Sequence, residues 1–203
     1  MSFSNLLRWS GPAAMVGGAL FVISELLDLY NFSGAVDEEN FSEVAATAPW
    51  VAEALLHLLG TVLLLFGLFG LYARQSEAAG HLGLVGFLVA FLGTALVAGV
   101  SWGDVFVVPI LADAAPEVLD AGPPLGIILS FGVFTVGWVL FGLATLRARV
   151  YPRVAAVLLM VGAVLAFFPL SLSTVVFGAA VAWLGSILFT GRDASAEQPA
   201  RVR

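Results

Sequence analysis

The apolar run that decides the fold begins Val51-Ala52-Glu53-Ala54-Leu55-Leu56-His57-Leu58-Leu59-Gly60 and continues to Tyr72. Such a run predicts a membrane-spanning helix, because a bilayer core of about 30 Å needs about 20 apolar residues in a helix. Positions i and i+4 of a helix share one face, so Glu53 and His57 should point the same way. Ionisable side chains at membrane depth are costly and usually face a bundle interior or a wet cavity. This pair is therefore the starting point for a functional site.

The composition of the whole chain predicts the same class of protein. Hydrophobic residues make up 61% of the 203 positions and charged residues 11%, whereas soluble domains are nearer half apolar and a quarter charged. The chain has no cysteine, which excludes disulfides and thiolate metal sites. It also lacks the basic stripe that nucleic acid requires. The sequence predicts an integral membrane protein whose main partner is the lipid bilayer and which does not bind nucleic acid.

Applying the length criterion along the chain predicts an all-α bundle of six transmembrane helices within residues 1–190. The spans are expected at residues 12–30, 50–72, 82–103, 125–146, 154–168 and 172–190. An interfacial segment, residues 3–9, should precede the first span, and Gly103 and Pro109 predict a break at the end of the third. Acidic loops follow the first and third spans. Residues 191–203 are expected to form a polar cytoplasmic tail.

Arginine placement predicts the orientation of these spans. With the N-terminus inside, all eight basic residues fall on the cytoplasmic side, and only three of the 14 acidic residues join them. Both termini are therefore expected in the cytoplasm. The ends of the second and fourth spans, residues 66–74 and 141–149, agree at six of nine positions. This similarity raises the alternative that the bundle consists of three repeated helical hairpins.

Small residues at helical spacing predict the faces along which the spans pack, because they allow backbones to approach closely in lipid. The third span carries small or polar residues at every third or fourth position: Gly86, Ala90, Thr94, Ala98, Ser101 and Asp104. In the first two spans the ionisable side chains also lie on the small-residue face. Such faces are equally compatible with contacts to another chain, so a homo-oligomer or a larger membrane complex stays open.

Five ionisable residues are expected to meet in one cavity at the outer end of the first three spans: Glu25, Asp28, Glu53, His57 and Asp104. Helical rise puts Glu25 and His57 about 9–10 Å below the outer ends of their spans, with the others nearer the surface. No arginine is predicted on that side of the membrane. The carboxylates must therefore be hydrated, protonated, shared with His57 or bound to a cation.

Three functions are compatible with this cluster. The chain could be a structural or accessory membrane protein whose acids lie in headgroup water, or a protein that binds or transports a small solute or cation through an outward-facing acidic cavity. The alternative is a metal-dependent intramembrane hydrolase of a lipid or small amphiphile, in which Glu53 and His57 hold a divalent metal that activates water. No cofactor is predicted apart from that metal. A serine nucleophile is not expected, because Ser101 has no base within local reach, and the sequence favours a role other than catalysis.

The segments Phe66-Gly67-Leu68-Phe69-Gly70-Leu71-Tyr72-Ala73-Arg74 and Gly83-Leu84-Val85-Gly86-Phe87-Leu88, together with Ser24-Glu25-Leu26, resemble a family of bacterial six-pass integral membrane proteins of unknown function. The resemblance covers most of the chain. It implies a location in the plasma membrane of a bacterium and supplies no catalytic residues.

Overall fold

The computed structural model describes residues 3–32, 41–168 and 172–191, and within them the regular structure is entirely helical. The helices are α1 (Phe3–Phe32), α2 (Phe41–Ala45), α3 (Ala48–Phe106), α4 (Val108–Ala114), α5 (Pro116–Leu119), α6 (Leu125–Ala148), α7 (Arg153–Leu165) and α8 (Ser173–Thr190). The predicted all-α class is confirmed. Most of the first acidic loop, residues 33–40, and the predicted tail beyond Gly191 lie outside the described residues.

Helix α3 is a hairpin of two long arms, residues 48–79 and 81–106, which we call the first arm and the second arm. Between them Gly80 has φ 55° and ψ −148°, a left-handed conformation that glycine adopts without the steric cost of a Cβ. The arms pack against each other, as shown by Tyr72 and Phe87, whose stacked rings have centroids 4.5 Å apart. The sequence predicts an inner turn before residue 82, and the structure confines that turn to a single glycine.

The long helices form a closed ring in which each is antiparallel to its neighbours. Helix α1 packs on the first arm, the second arm on α6, α6 on α7, α7 on α8, and α8 returns to α1. Glycines set the closest approaches: Gly17 faces Gly60 of the first arm, and Gly18 faces Gly178 of α8. These small-residue contacts are those that lipid-embedded helices use.

The outside of the ring is apolar. On the first arm the exposed stripe consists of Leu55, Leu59, Val62, Phe66 and Phe69, spaced three or four residues apart as on one face of a helix. Soluble proteins rarely expose continuous apolar surfaces of this extent. Within the described residues three helices are long and apolar enough to cross a membrane: Leu7–Phe32, Ala48–Phe106 and Leu125–Ala148. The structure thus has the surface expected of an α-helical membrane protein.

Charge separates between the two ends of the ring. One end, which we call the basic end, carries Arg74 and the turn between α6 and α7 that follows Arg147. The opposite end, which we call the acidic end, carries the C-terminal part of α1, the start of the first arm and the end of the second arm. These three segments carry four carboxylates: Glu25, Asp28, Glu53 and Asp104. This distribution is the one that arginine placement predicts.

The turn between α6 and α7 is fixed to the rest of the ring by Tyr151. Its hydroxyl donates to the carbonyl of Leu71 at 3.4 Å, and the Arg74 guanidinium lies 5.6 Å from its ring centroid. Burial raises the pKa of Tyr151 above its ordinary value, with Arg74 acting in the opposite direction. The phenol therefore stays a neutral donor. Arg74 also donates to the carbonyl of Ile187 at 3.0 Å, which ties the first arm to α8.

Replacing Gln75 with leucine is expected to stabilise the fold. The side chain is fully buried on the first arm, and within the described residues neither its amide nitrogen nor its amide oxygen has a hydrogen-bond partner. Because a buried polar group without a partner costs about 1–3 kcal/mol, Gln75→Leu should raise the free energy of unfolding by a comparable amount. Thermal unfolding in detergent measures the change. The control, Gln75→Glu, keeps the shape and adds a charge, so its melting temperature should fall; a lower melting temperature for Gln75→Leu would show that the amide is hydrogen-bonded.

Candidate functional site

A cavity of about 700 Å³ opens at the acidic end of the ring. Its polar lining residues are Glu25, Asp28, His57 and Thr174, and we call it the acidic cavity. Two of the carboxylates come from α1, where Glu25 and Asp28 lie three residues apart and therefore share a face. His57 comes from the first arm, directly opposite, where its ring packs edge-on against Phe21 at 4.9 Å. The structure thus brings together three of the five predicted site residues in one cavity.

Glu25 is held in place by the start of α8. The backbone N–H of Leu172 donates to Oε1 of Glu25 at 2.8 Å, and Leu172, with φ 70°, precedes the first residue of α8. A carboxylate is favoured there because helix N-termini carry partial positive charge. This contact positions one oxygen of Glu25 and joins the last part of α1 to α8.

His57 also contacts a serine that sequence reasoning excluded as part of a site. Oγ of Ser101 lies 3.4 Å from Nδ1 of His57, so a base that is distant in the sequence lies beside a serine that has none within local reach. Local spacing could not show the contact, because the hairpin at Gly80 brings together positions 44 residues apart. Ser101 is only 1% exposed and lines neither cavity at this end. The pair therefore holds the two arms together, and a substrate cannot reach the hydroxyl.

Glu53 and Asp104 lie outside the acidic cavity. Asp104 lines a second cavity of about 660 Å³ beneath α4 and α5, which we call the loop cavity, and Glu53 lines neither. The carboxylate of Glu53 is nevertheless close enough to interact electrostatically with those of Asp28, Asp104 and Glu25. The two cavities share Pro123 and Ile127 as lining residues. The four predicted carboxylates thus form one electrostatic group distributed over neighbouring spaces, and His57 lines the same cavity as two of them.

Short helices α2, α4 and α5 cover the loop cavity. Ser42 joins α2 to the end of α5, since its backbone N–H and hydroxyl donate to Oδ1 and Oδ2 of Asp120, each at 2.9 Å. Phe41 also packs edge-on against Trp50, with ring centroids 5.2 Å apart. The acidic loops are therefore folded at least in part, and they shape one wall of the site.

Six phenylalanine rings line the acidic cavity, and sequence reasoning missed them as site residues: Phe21, Phe131, Phe134, Phe167, Phe168 and Phe177. Five of them belong to α6, to the segment after α7 or to α8, so the cavity is not confined to the first three predicted spans. The close spacing of Phe131 with Phe134, and the adjacent pair Phe167 and Phe168, were the available signals. Neither signal could reveal that the helices close into a ring and that this arrangement brings the phenylalanine side chains into the same cavity as Glu25.

The described part of the chain contains no evident set of metal ligands. No group of three or more histidine, aspartate or glutamate side chains is placed there so that it could hold a metal ion. The predicted pair is divided, because His57 lines the acidic cavity and Glu53 does not. The acidic cavity combines carboxylate side chains with walls that are mainly apolar. The chain matches no protein-family model, no curated protein and no solved structure.

Proposed function

We propose that this protein spans the plasma membrane of a bacterium six times, with both termini in the cytoplasm, and that it binds a small cationic solute in the acidic cavity. The cavity would face the outside, and the protein would serve as a binding or transport protein. The observation that carries this proposal is the lining of the acidic cavity. It contains two carboxylates and a histidine, and no arginine or lysine among the described residues.

The six-span topology is supported by the alternating directions of the helices. Six helical segments, namely α1, the two arms of α3, α6, α7 and α8, run antiparallel to their neighbours around the ring. Cytoplasmic loops of membrane proteins carry an excess of arginine, and the described arginines lie at the basic end. This orientation directs the acidic cavity outward. The antiparallel succession is also what three repeated hairpins would produce.

An accessory role is the main competing function. In that case Glu25 would serve only to fasten α1 to α8 through Leu172, and apolar lipid chains would fill the cavity. The two functions differ in one measurable property, because a solute site must admit water and ions, whereas a lipid-filled space excludes them. The hydrolase alternative has no metal ligand set in the described residues, and no serine is among the residues that line the acidic cavity, so we do not favour it.

Cysteine accessibility tests the proposed function directly, because the chain contains no native cysteine. A single Thr174→Cys substitution places a thiol in the wall of the acidic cavity. In intact cells it should react with membrane-impermeant methanethiosulfonates from the outside. The cationic trimethylammonium reagent should react with this thiol at least about tenfold faster than the anionic sulfonate reagent, because a negative cleft concentrates cations. Each rate is first normalised to the rate of the same reagent with a free thiol. Adding Glu25→Gln should lower that ratio.

Glu77→Cys provides the matched control for orientation. Glu77 is exposed at the basic end, so its thiol should react only after the membrane is opened. Reaction of Glu77→Cys in intact cells would overturn the proposed orientation. A Thr174→Cys thiol that is inert from the outside, or that reacts equally with both reagents, would overturn the cation site and favour the accessory role.

A further inference from the structure

We propose that the solute of the acidic cavity is an organic cation, an ammonium group with apolar substituents, and not a metal ion. This inference rests on the proposed function and specifies the class of ligand. Its basis is that aromatic rings and carboxylates line the same space. Either feature alone would favour a different ligand.

The walls of the acidic cavity are suited to the apolar part of such a ligand and to its charge. Six phenylalanine rings line the space, and its volume of about 700 Å³ lies in the range of pockets for drug-sized ligands. The faces of aromatic rings attract cations within about 6 Å of the ring centroid, and groups of rings are known to recognise quaternary ammonium ions. Phe134 and Phe177 are fixed edge-to-face at 5.1 Å, so the deeper rings are already held in place.

The charge of the cavity lies on one side. Glu25 and Asp28 project from α1, and Leu172 holds one oxygen of Glu25 by a hydrogen bond of 2.8 Å. Within the described residues the other oxygen has no hydrogen-bond donor of its own. Glu53 interacts electrostatically with both carboxylates from outside the cavity. A bound ammonium group would lie between these carboxylates and the rings of Phe167 and Phe168.

Other ligand classes fit this surface less well. Calcium takes six to eight oxygen ligands and magnesium a near-octahedral set, whereas the oxygen donors of the cavity side chains are those of Glu25, Asp28 and Thr174. An anion would be repelled by the carboxylates. A neutral apolar molecule would leave those carboxylates partly desolvated without a counter-charge, which is costly. An organic cation can place its apolar substituents against the aromatic walls and its positive charge next to the carboxylates.

The test measures how added compounds protect Thr174→Cys from an uncharged thiol reagent, methyl methanethiosulfonate, in proteoliposomes that contain the full chain. Benzyltrimethylammonium should slow the reaction by at least about tenfold at saturation, a protection that corresponds to about 1.4 kcal/mol. Benzyl alcohol, which keeps the ring but lacks the charge, and magnesium chloride should not protect at the same concentration. Glu25→Gln should raise the half-protecting concentration by about tenfold.

Phe168→Leu tests the contribution of the rings. Phe168 is 51% exposed, so its replacement should leave the melting temperature unchanged, and the half-protecting concentration should rise about threefold or more. The control is Phe189→Leu on α8, which is exposed and lies far from the acidic cavity; it should not alter protection.

The outcomes separate this inference from the proposed function. Protection by magnesium without protection by benzyltrimethylammonium would overturn the organic cation and leave a cation site standing. Equal protection by benzyl alcohol would also overturn it, because charge would then play no part. A failure of the proposed function would appear earlier, as equal reactivity of Thr174→Cys toward the cationic and anionic reagents.

Discussion

The Gly137→Ala variant is expected to unfold at a markedly lower temperature than the parent protein, although it adds only one methyl group. Gly137 lies on α6 where the helix crosses the second arm of α3. A Cβ at this position would overlap the backbone nitrogen and Cα of Ala90. Backbone atoms cannot rotate away as a side chain can, so α6 and the second arm would have to separate. Overpacking of this kind costs about 1–3 kcal/mol.

Both α6 and the second arm contribute a glycine to this contact, which increases the expected loss of stability. Gly93 of the second arm faces the backbone of Phe134 on α6 as closely as Gly137 faces Ala90. The Gly93→Ala and Gly137→Ala changes both force this interface apart, so the double variant should be less destabilised than the sum of the single variants. Because Phe134 lines the acidic cavity, the separation should also weaken protection of Thr174→Cys by benzyltrimethylammonium.

Gly126→Ala, on the same helix, is the matched control. Nothing lies within 4 Å of a Cβ added to Gly126, and alanine is favoured over glycine in a helix by about 1 kcal/mol. Its melting temperature should equal or slightly exceed that of the parent, whereas that of Gly137→Ala should fall. Thermal unfolding of the purified variants in one detergent compares them. Equal melting temperatures for the two variants would contradict the close crossing of α6 and the second arm.

Hydropathy predicted the helices well where an apolar run ends at proline, glycine or arginine. Helix α6 covers Leu125–Ala148 and α8 covers Ser173–Thr190, within two residues of the predicted limits. Helix α1 begins at Phe3 and continues through Pro12, so the segment expected at the interface, residues 3–9, is continuous with the first predicted span. Proline near the start of a transmembrane helix is tolerated when neighbouring groups satisfy the freed carbonyl. The break that Gly103 and Pro109 predict is observed between those two residues, where α3 ends at Phe106 and α4 begins at Val108.

Packing faces could be predicted, but not which helices become neighbours. The small-residue face of the third span is confirmed, since Gly86, Ala90 and Thr94 are buried, and Gly86 and Ala90 lie against α6. Periodicity within one helix contains no information about its partners. For that reason the sequence placed the ionisable cluster among the first three spans alone. The structure adds α6, the segment after α7, and α8 to the walls of the acidic cavity, and with them most of its phenylalanines.

Two tryptophans of similar sequence context show the same limit. Trp138 and Trp183 both lie deep within apolar runs, yet Trp138 is fully buried and Trp183 is 41% exposed. The difference depends on the direction in which each helix faces the ring. Only the closed arrangement of the six segments reveals it, and the two residues therefore form a natural pair of test and control.

Trp138→Ala is expected to cause the largest loss of stability among the substitutions considered. The indole is the largest fully buried side chain of the described residues. It packs edge-on against Phe141 at 5.7 Å and against Phe177 at 5.1 Å, and its Nε1–H donates to Oγ1 of Thr94 at 3.0 Å. Truncating a buried aromatic side chain to alanine costs about 3–5 kcal/mol. Trp183→Ala, on the outside of the ring, should change the melting temperature little.

Trp138→Phe separates the packing of the indole from its hydrogen bond. The smaller ring should retain much of the contact with Phe141 and Phe177. The hydroxyl of Thr94 would lose a donor but still donate to the carbonyl of Ala90 at 2.6 Å, so no buried donor is left without a partner. The expected loss is therefore near the value of one hydrogen bond plus a small cavity, well below that of Trp138→Ala. Equal losses for the two variants would mean that the hydrogen bond, and not the packing, holds the second arm to α6.

The same pair of variants connects the stability of the ring to the acidic cavity. Trp138 lies directly below Phe134 and Phe177, which line that cavity. Removing the indole takes away a contact of both rings, so Trp138→Ala should weaken protection of Thr174→Cys by benzyltrimethylammonium even at temperatures where the protein is folded. Trp138→Phe should largely preserve it. If protection were unchanged in a folded Trp138→Ala protein, the deeper rings would not contribute to binding, and the ligand would be held at the rim by Glu25, Phe167 and Phe168.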